Sequence, residues 1–365
     1  MIGESSMLLL GIGTAGASIA RGVSRAFGNG LRYALIDTDA TTGDGDGPFT
    51  LLGGDRLSGR GTGGDIVAAR LAAEDSIEVI DEHLEGIRLV VIATALGGGT
   101  GGGATLETVK HLAQRGIPSI VFATTPFAFE GDDRQRNARG VMSMIEERAN
   151  ATFFLPLDKL VSGEDKMDDA LRRAIDTMAI GITMFWRLVE KPGYLRIDID
   201  RIRRIVSSAG RGRFAAVTVQ GPERAIAALD QIKSAETLSG STPIHSIVCG
   251  ILAGEDLRLS EIGHIANGIR KTFGEKLAFD LGTVNDEATF CGRICVIVML
   301  FDASGKEDSQ SDGSAPSSKR HYKPRGSLQP GPIGRGRFNN AEQTLWNGED
   351  LDIPTFVRRE INLEF

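Results

Sequence analysis

Between residues 7 and 127 the chain alternates short apolar runs with amphipathic stretches: MLLLGI, ASIARGVSRAFG, YALID, IVAARLAAEDSIEVIDEHLEG, LVVIAT, ATLETVKHLAQRG and SIVFAT. A run that is apolar at every position has no water-facing side, so it reads as a strand buried on both faces. Strands of that kind separated by helices make a parallel sheet covered on both sides, and the fold class is α/β.

The segment 164–191 carries apolar residues around most of its circumference and stops at Pro192-Gly193, which predicts a helix buried between two bodies. FAAVTVQG, HSIVCGILAG and RICVIVMLFD, with helical patterns between them, predict a second, smaller α/β domain. From Ala303 to Gly348 the composition shifts to Ser, Gly, Pro, Lys and Arg, with seven basic residues against four acidic. Such a segment buries too little to offset its ordering entropy, so a disordered linker is expected. The expected organisation is a first domain over 1–163, a central helix over 164–191, a second domain over 192–303, a linker over 304–349 and a terminal peptide over 350–365.

At 365 residues and 41% apolar, the chain is long enough for about two domains and a tail. No apolar run approaches the roughly 20 residues of a membrane-spanning helix, and no basic leader precedes the N-terminal apolar run. A cytoplasmic protein, reaching a membrane only indirectly, is expected. Three cysteines without CxxC spacing and scattered histidines argue against a disulfide scaffold or a structural zinc site. A net charge of −7 argues against general nucleic-acid binding.

The 47 glycines cluster in loops between apolar strands. Gly11-Ile-Gly13-Thr-Ala-Gly16 follows a strand and opens a helix, with Asp37 at the end of the next strand, which matches a dinucleotide-binding fingerprint. In Gly97-Gly98-Gly99-Thr100-Gly101-Gly102-Gly103, more glycine than a turn needs meets a helix N-terminus, whose N–H groups and dipole suit a phosphate. The loop lacks the Gly-Lys-Ser/Thr ending of a P-loop. A third cluster, Gly59-Arg-Gly61-Thr-Gly63-Gly64, could close over a terminal phosphate, and three such loops on one sheet suit a nucleoside triphosphate.

Gly97–Gly103 resembles the signature loop of the tubulin/FtsZ superfamily, and its surroundings are similar to the bacterial cell-division branch, FtsZ. Pro126-Phe-Ala-Phe129-Glu130-Gly131-Asp-Asp-Arg134 resembles that branch's PFxFEGxxR, Leu155-Pro-Leu-Asp158-Lys159-Leu160 its IPNDKL, and Thr38-Asp39 matches as well. The resemblance implies a tubulin/FtsZ-like fold with a Rossmann-like GTPase domain. It implies GTP or GDP, with Mg²⁺ accompanying GTP, held by Gly13, Thr14, Ala15, Gly16, Ala17, Ser18, Asp39, Gly63, Gly64, Gly97, Gly98, Gly99, Thr100, Gly101, Gly102, Glu130 and Arg134. Asp176 would pair with guanine. Ser18, Leu157 and Ile175 stand where the family has asparagines.

In the family a loop after the long helix completes the neighbouring subunit's site. Here that stretch reads Tyr194-Leu-Arg196-Ile-Asp198-Ile-Asp200-Arg201. Asp198 fits the first aspartate, Arg196 replaces the asparagine, Arg201 occupies the second aspartate's place and Asp200 is one residue early, so slow hydrolysis is expected. Asp198 and Asp200 are the candidate catalytic residues. The terminal Asp352-Ile353-Pro354-Thr355-Phe356-Val357 resembles the family's peptide for membrane-tethering division proteins, and Asp352 as N-cap with Ile353, Phe356 and Val357 on one face predicts a helix that orders on a partner. The sequence therefore predicts a GTPase polymerising head to tail into a cytokinetic ring at the division site. A filament protein that binds GTP with little hydrolysis and an NAD-dependent oxidoreductase are the alternatives.

Overall fold

The structure, a computed structural model, describes residues 5–160, 166–191, 193–207 and 209–303 and two short strands near the end of the chain. Two compact units are distinguished, Met1–Ser309 and Gln310–Phe365. In the second, Leu345–Trp346 pairs antiparallel with Glu349–Asp350. This pairing spans residues on both sides of the expected 349/350 boundary between linker and terminal peptide. The rest of both segments, Asp352 to Val357 included, lies outside the described residues.

The apolar runs of the first unit form β1 (Met7–Ile12), β2 (Tyr33–Asp37), β3 (Phe49–Leu51), β4 (Leu89–Ala95), β5 (Ser119–Thr125) and β6 (Ala151–Pro156). Between them lie α1 (Gly13–Phe27), α2 (Gly54–Leu57), α3 (Ile66–Asp75), α4 (Ile77–Glu82), α5 (Gly99–Gln114) and α6 (Asp132–Arg148). The six strands are parallel in the order β3-β2-β1-β4-β5-β6. Every residue of β1 is buried because each face meets a different core. Met7 and Leu9 pack with Ile19 and Val23 of α1, whereas Leu8, Leu10 and Ile12 share a core with Ala72, Val109 and Val141 of α3, α5 and α6.

The chain continues through α7 (Met167–Glu190), α8 (Ile199–Ser207), β7 (Ala209–Gln220), α9 (Arg224–Ser234), β8 (Ile244–Ala253), α10 (Leu259–Phe273), β9 (Ala278–Asn285), α11 (Glu287–Phe290) and β10 (Arg293–Ala303). The regions read from sequence as two domains share one ten-stranded sheet, continuing β6-β7-β10-β8-β9. The seam is narrow: among the described residues β6 and β7 are joined by Thr152 opposite Arg211 and Phe153 opposite Gly212. Aromatic packing reinforces it. Phe122 and Phe153 stack at 4.8 Å, and Phe214 and Phe301 meet Phe153 edge-on at 5.9 and 5.6 Å, each pair contributing about 1 kcal/mol beyond area burial.

Helix α7 carries Met178, Ile182, Phe185 and Trp186, all buried, into a core that also holds Ile297 and Met299 of β10. At Gly181 a Cβ would stand 2.2 Å from the Phe214 ring, so a side chain there would push the helix off the sheet. Buried Arg187 donates to Asp286, to Thr289 Oγ1 at 3.1 Å and to the Ala26 carbonyl at 2.9 Å, tying α7 to the end of α1 and the start of α11. Among the described residues no helix is long and apolar enough to cross a membrane.

Candidate functional site

In an open parallel sheet a crevice forms at the carboxyl ends of the strands where the strand order reverses, here between β1 and β4. Helix α1 starts directly after β1, and α5 starts four residues after β4. Neither N-terminus has a side-chain cap or an acid in its first turn. Their unpaired N–H groups and dipoles border one cleft of about 670 Å³. Several other helix starts are closed. Asp65 Oδ1 accepts from Val67 and Ala68 N–H at the start of α3, and α6 and α7 open on Asp132-Asp133 and Asp168-Asp169.

The glycines serve two purposes. A Cβ on Gly101 would stand 2.0 Å from the Ala95 carbonyl, on Gly99 2.0 Å from Thr62 Oγ1, and on Gly103 2.2 Å from the Ile66 carbonyl. These three are glycine because α5 lies directly against the end of β4 and the start of α3. The inference that a turn would not need so many is corrected accordingly, since close packing needs them. Gly98 alone in the loop has open space at its Cβ position, facing the cleft.

Of the predicted nucleotide-binding residues, Gly13, Thr14, Ala15, Ser18, Asp39, Gly63, Gly64, Gly98, Gly99, Thr100, Gly101, Glu130 and Arg134 line this cleft. Gly16, Ala17, Gly97 and Gly102 do not. A Cβ on Gly16 would meet the Ala93 carbonyl at 2.3 Å, Ala17 is core, Gly97 has φ +106°, and Gly102 packs toward Val141. Asp176 lines an adjoining hollow with Arg21, Arg25 and Arg172, and Ser18 and Ile175 border both spaces.

Asp37, 2% exposed, is already saturated. Its Oδ2 accepts from Thr14 Oγ1 at 3.0 Å and Thr42 Oγ1 at 2.7 Å, its Oδ1 from the N–H groups of Thr38 at 2.8 Å and Asp39 at 3.4 Å. With its lone pairs engaged it has nothing left for a ribose, which removes the support of the dinucleotide reading. It instead braces the loop carrying Thr38, whose hydroxyl meets Thr100 Oγ1 at 2.6 Å.

Asp39 caps the following turn. Hydrogen bonds from the Thr41 hydroxyl and N–H to its Oδ1 hold its carboxyl below the usual value, leaving Oδ2 without a hydrogen bond among the described residues. Glu130 pairs with Arg134 and accepts the Phe127 N–H at 2.8 Å, while Asp158 accepts the Ala128 N–H at 3.2 Å. The lining also includes Arg60 and Thr62 of the third glycine cluster, which were not among the predicted contact residues. Their flanking Gly59, Gly61, Gly63 and Gly64, all at positive φ, were the available signal, and the Gly61 N–H to the Thr38 carbonyl at 3.0 Å pins that strap over the cleft.

Asp198 and Asp200 lie elsewhere. Thr283 of edge strand β9 exchanges hydrogen bonds with Leu195, donating to its carbonyl at 2.8 Å and accepting its N–H at 2.9 Å on Oγ1. Asp198 Oδ1 accepts the Arg201 N–H at 2.7 Å, and Arg201 forks onto Asp280 of β9 at 2.6 and 3.0 Å. That carboxylate, chiefly by hydrogen bonding, pushes the Arg201 pKa up. Arg201 therefore does not stand as a free cation, and Asp200 is paired with Arg88. Arg88 precedes the seven residues of β4, at the opposite strand edge from the cleft, about 23 Å away.

Residues 6–163 match the Tubulin/FtsZ family, GTPase domain. An empty FtsZ dimer from M. jannaschii is similar at TM-score 0.76 and 20% identity, over 86% of this chain and 95% of that one. CetZ2 from Haloferax volcanii, a GTPγS-bound protofilament, is similar at 0.71 and 19%, over 82% and 94%. TubZ of Clostridium botulinum phage c-st is similar at 0.59 and 15%, over 82% and 92%. The chain has the tubulin/FtsZ-like α/β fold.

The cleft suits a triphosphate carrying its own Mg²⁺. No group of three metal-ligating side chains occurs among the described residues, but a nucleotide-borne Mg²⁺ needs one or two protein oxygens, and Asp39 Oδ2 has no hydrogen bond among the described residues. Such an ion would neutralise phosphate charge, and the chain's own contribution would come from the two helix ends, Thr100 and Arg60, which line the cleft.

Proposed function

We propose that the chain binds GTP and GDP in the cleft between α1 and α5, and that it is a GTPase assembling head to tail. The observation that carries the reading is the separation of two incomplete parts. Phosphate-facing N–H groups stand at one edge of the sheet, and Asp198, with a carboxylate oxygen unengaged by any hydrogen bond among the described residues, stands at the other. A second copy can bring them together, and the loop of one subunit then orients the attacking water at the neighbour's γ-phosphate while the helix ends stabilise charge on the departing diphosphate.

In this reading Asp176 accepts the guanine N1–H and N2–H₂, and the filament forms the cytokinetic ring of a bacterium. It acts in the cytoplasm at the division site, tethered to membrane partners through residues 350–365. A structural filament with little hydrolysis is the second reading, favoured by the engagement of Asp200 with Arg88 and of Arg201 with Asp280. Pelleting with GTP, GDP and a non-hydrolysable analogue, with phosphate release measured alongside, tests both. GTP-dependent pelleting with phosphate release supports the first reading, and pelleting without release supports the second. A chain that stays monomeric and nucleotide-free in every condition overturns both.

A further inference from the structure

A second hollow, of about 400 Å³, lies on the β6–β7 seam, outside the nucleotide cleft. Its N-terminal wall carries Arg139 of α6 and Lys159; its C-terminal wall carries Arg211, Arg213 and the hydroxyl-rich turn 237–242. Two of these cations are spent. Arg211 pairs with Glu146 at 2.6 Å, and Arg213 pairs with Asp302 at 2.5 Å while donating to the Leu238 and Thr242 carbonyls at 3.0 and 3.1 Å. Arg139 has no ion-pair or hydrogen-bond partner among the described residues, and Lys159 has one long contact, 3.5 Å to the Glu236 carbonyl. The single acid lining the hollow, Asp302, is buried and taken by Arg213. On a chain of net charge −7 this is a local surplus of two cations beside hydroxyl donors.

We infer that this hollow binds a small phosphate-bearing anion, held by Arg139 and Lys159 from one side and by the 237–242 turn from the other. Two unspent cations match a dianion, and three phosphate oxygens can accept from both walls at once. Because the walls belong to opposite sides of a two-pair seam, the bound anion braces that seam. Gln135, also in the lining, donates to the Pro126 and Phe127 carbonyls at 3.0 and 2.8 Å, so the hollow touches the segment that carries Glu130 to the nucleotide cleft.

The test is calorimetric titration of the full chain, stripped of phosphate, with inorganic phosphate and pyrophosphate at fixed ionic strength, with and without saturating GDP. One pyrophosphate per chain bound in saturating GDP, and that binding weakened tenfold or more in Arg139→Ala/Lys159→Ala, supports the site. Both positions are exposed, so the variant should melt with the parent, and slowed amide exchange at 152–153 and 211–212 on binding reports the brace. Binding abolished by GDP, equal binding by the double variant, or no binding overturns the inference. So does tighter binding of polyglutamate than of pyrophosphate, which would identify an acidic protein segment instead.

Discussion

The cleft and the 193–201 loop, the two regions that the proposed reaction needs, are built on opposite principles. The cleft is left electrostatically open, with two uncapped helix ends, a hydroxyl-bearing Thr100 and a glycine at 98 that fills none of the space in front of it. The loop is closed on itself. Leu195 is sewn to Thr283, Arg201 is clamped by Asp280, and Asp200 is engaged by Arg88. The difference teaches where binding energy is stored. An anion supplies what the cleft lacks, whereas the loop is already satisfied and meets a ligand as a preformed surface.

The largest expected effect comes from removing the close approach on which the cleft stands. In Gly101→Val the new side chain meets the Ala95 carbonyl, and a loss of about 3 kcal/mol or more in denaturant unfolding is expected, together with loss of nucleotide binding. Gly98→Asp should separate stability from binding. Gly98 is the N-cap of α5, extended at φ −88° and ψ 167°, with open space for a side chain. The aspartate should stabilise the helix by about 1 kcal/mol while weakening GTP by about two orders of magnitude, read by melting and by labelled-nucleotide titration. If both quantities fall together, the cleft is not an open anion site.

For the loop, Asp198→Ala removes the N-cap of α8, at a cost of about 1 kcal/mol. Nucleotide affinity of the monomer should stay unchanged, while phosphate release by assembled protein falls at least about tenfold. A fall in monomer affinity would erase the separation of the two regions. The smallest effect is one of pH. The Asp39 carboxyl is held below 3.8 by Thr41, so its stabilising contribution is fully present above 3.8 and is lost as pH falls through the lower folded value. Thr41→Val should shrink that acid-side loss in melting curves below pH 4, with no change near pH 7.

Much of this was legible in the residues. Wholly apolar runs such as LVVIAT have one stable environment, a strand covered on both faces, and the glycine loops after β1 and β4 announce close backbone approach. What each glycine is for was not legible. Gly98 and Gly101 look alike in sequence, but one faces solvent and the other a carbonyl, because only the docking of α5 on β4 decides which Cβ position is occupied. Nor was the fate of Arg201 legible, since its partner Asp280 lies 79 residues away and meets it through the pairing of β8 with β9.

By itself the sequence determined the layered α/β class, the strand-to-helix turns that bear the cleft, and the glycine-rich loop at a helix N-terminus, because these follow from local period and from glycine's freedom near one point in the chain. Tertiary structure decided that Asp37 is a saturated brace rather than a ligand, that two regions share one sheet across a two-pair seam, and that Asp198 stands at the edge opposite the cleft. Those outcomes depend on which distant groups satisfy one another's charges and hydrogen bonds, and chain packing alone brings such groups within reach.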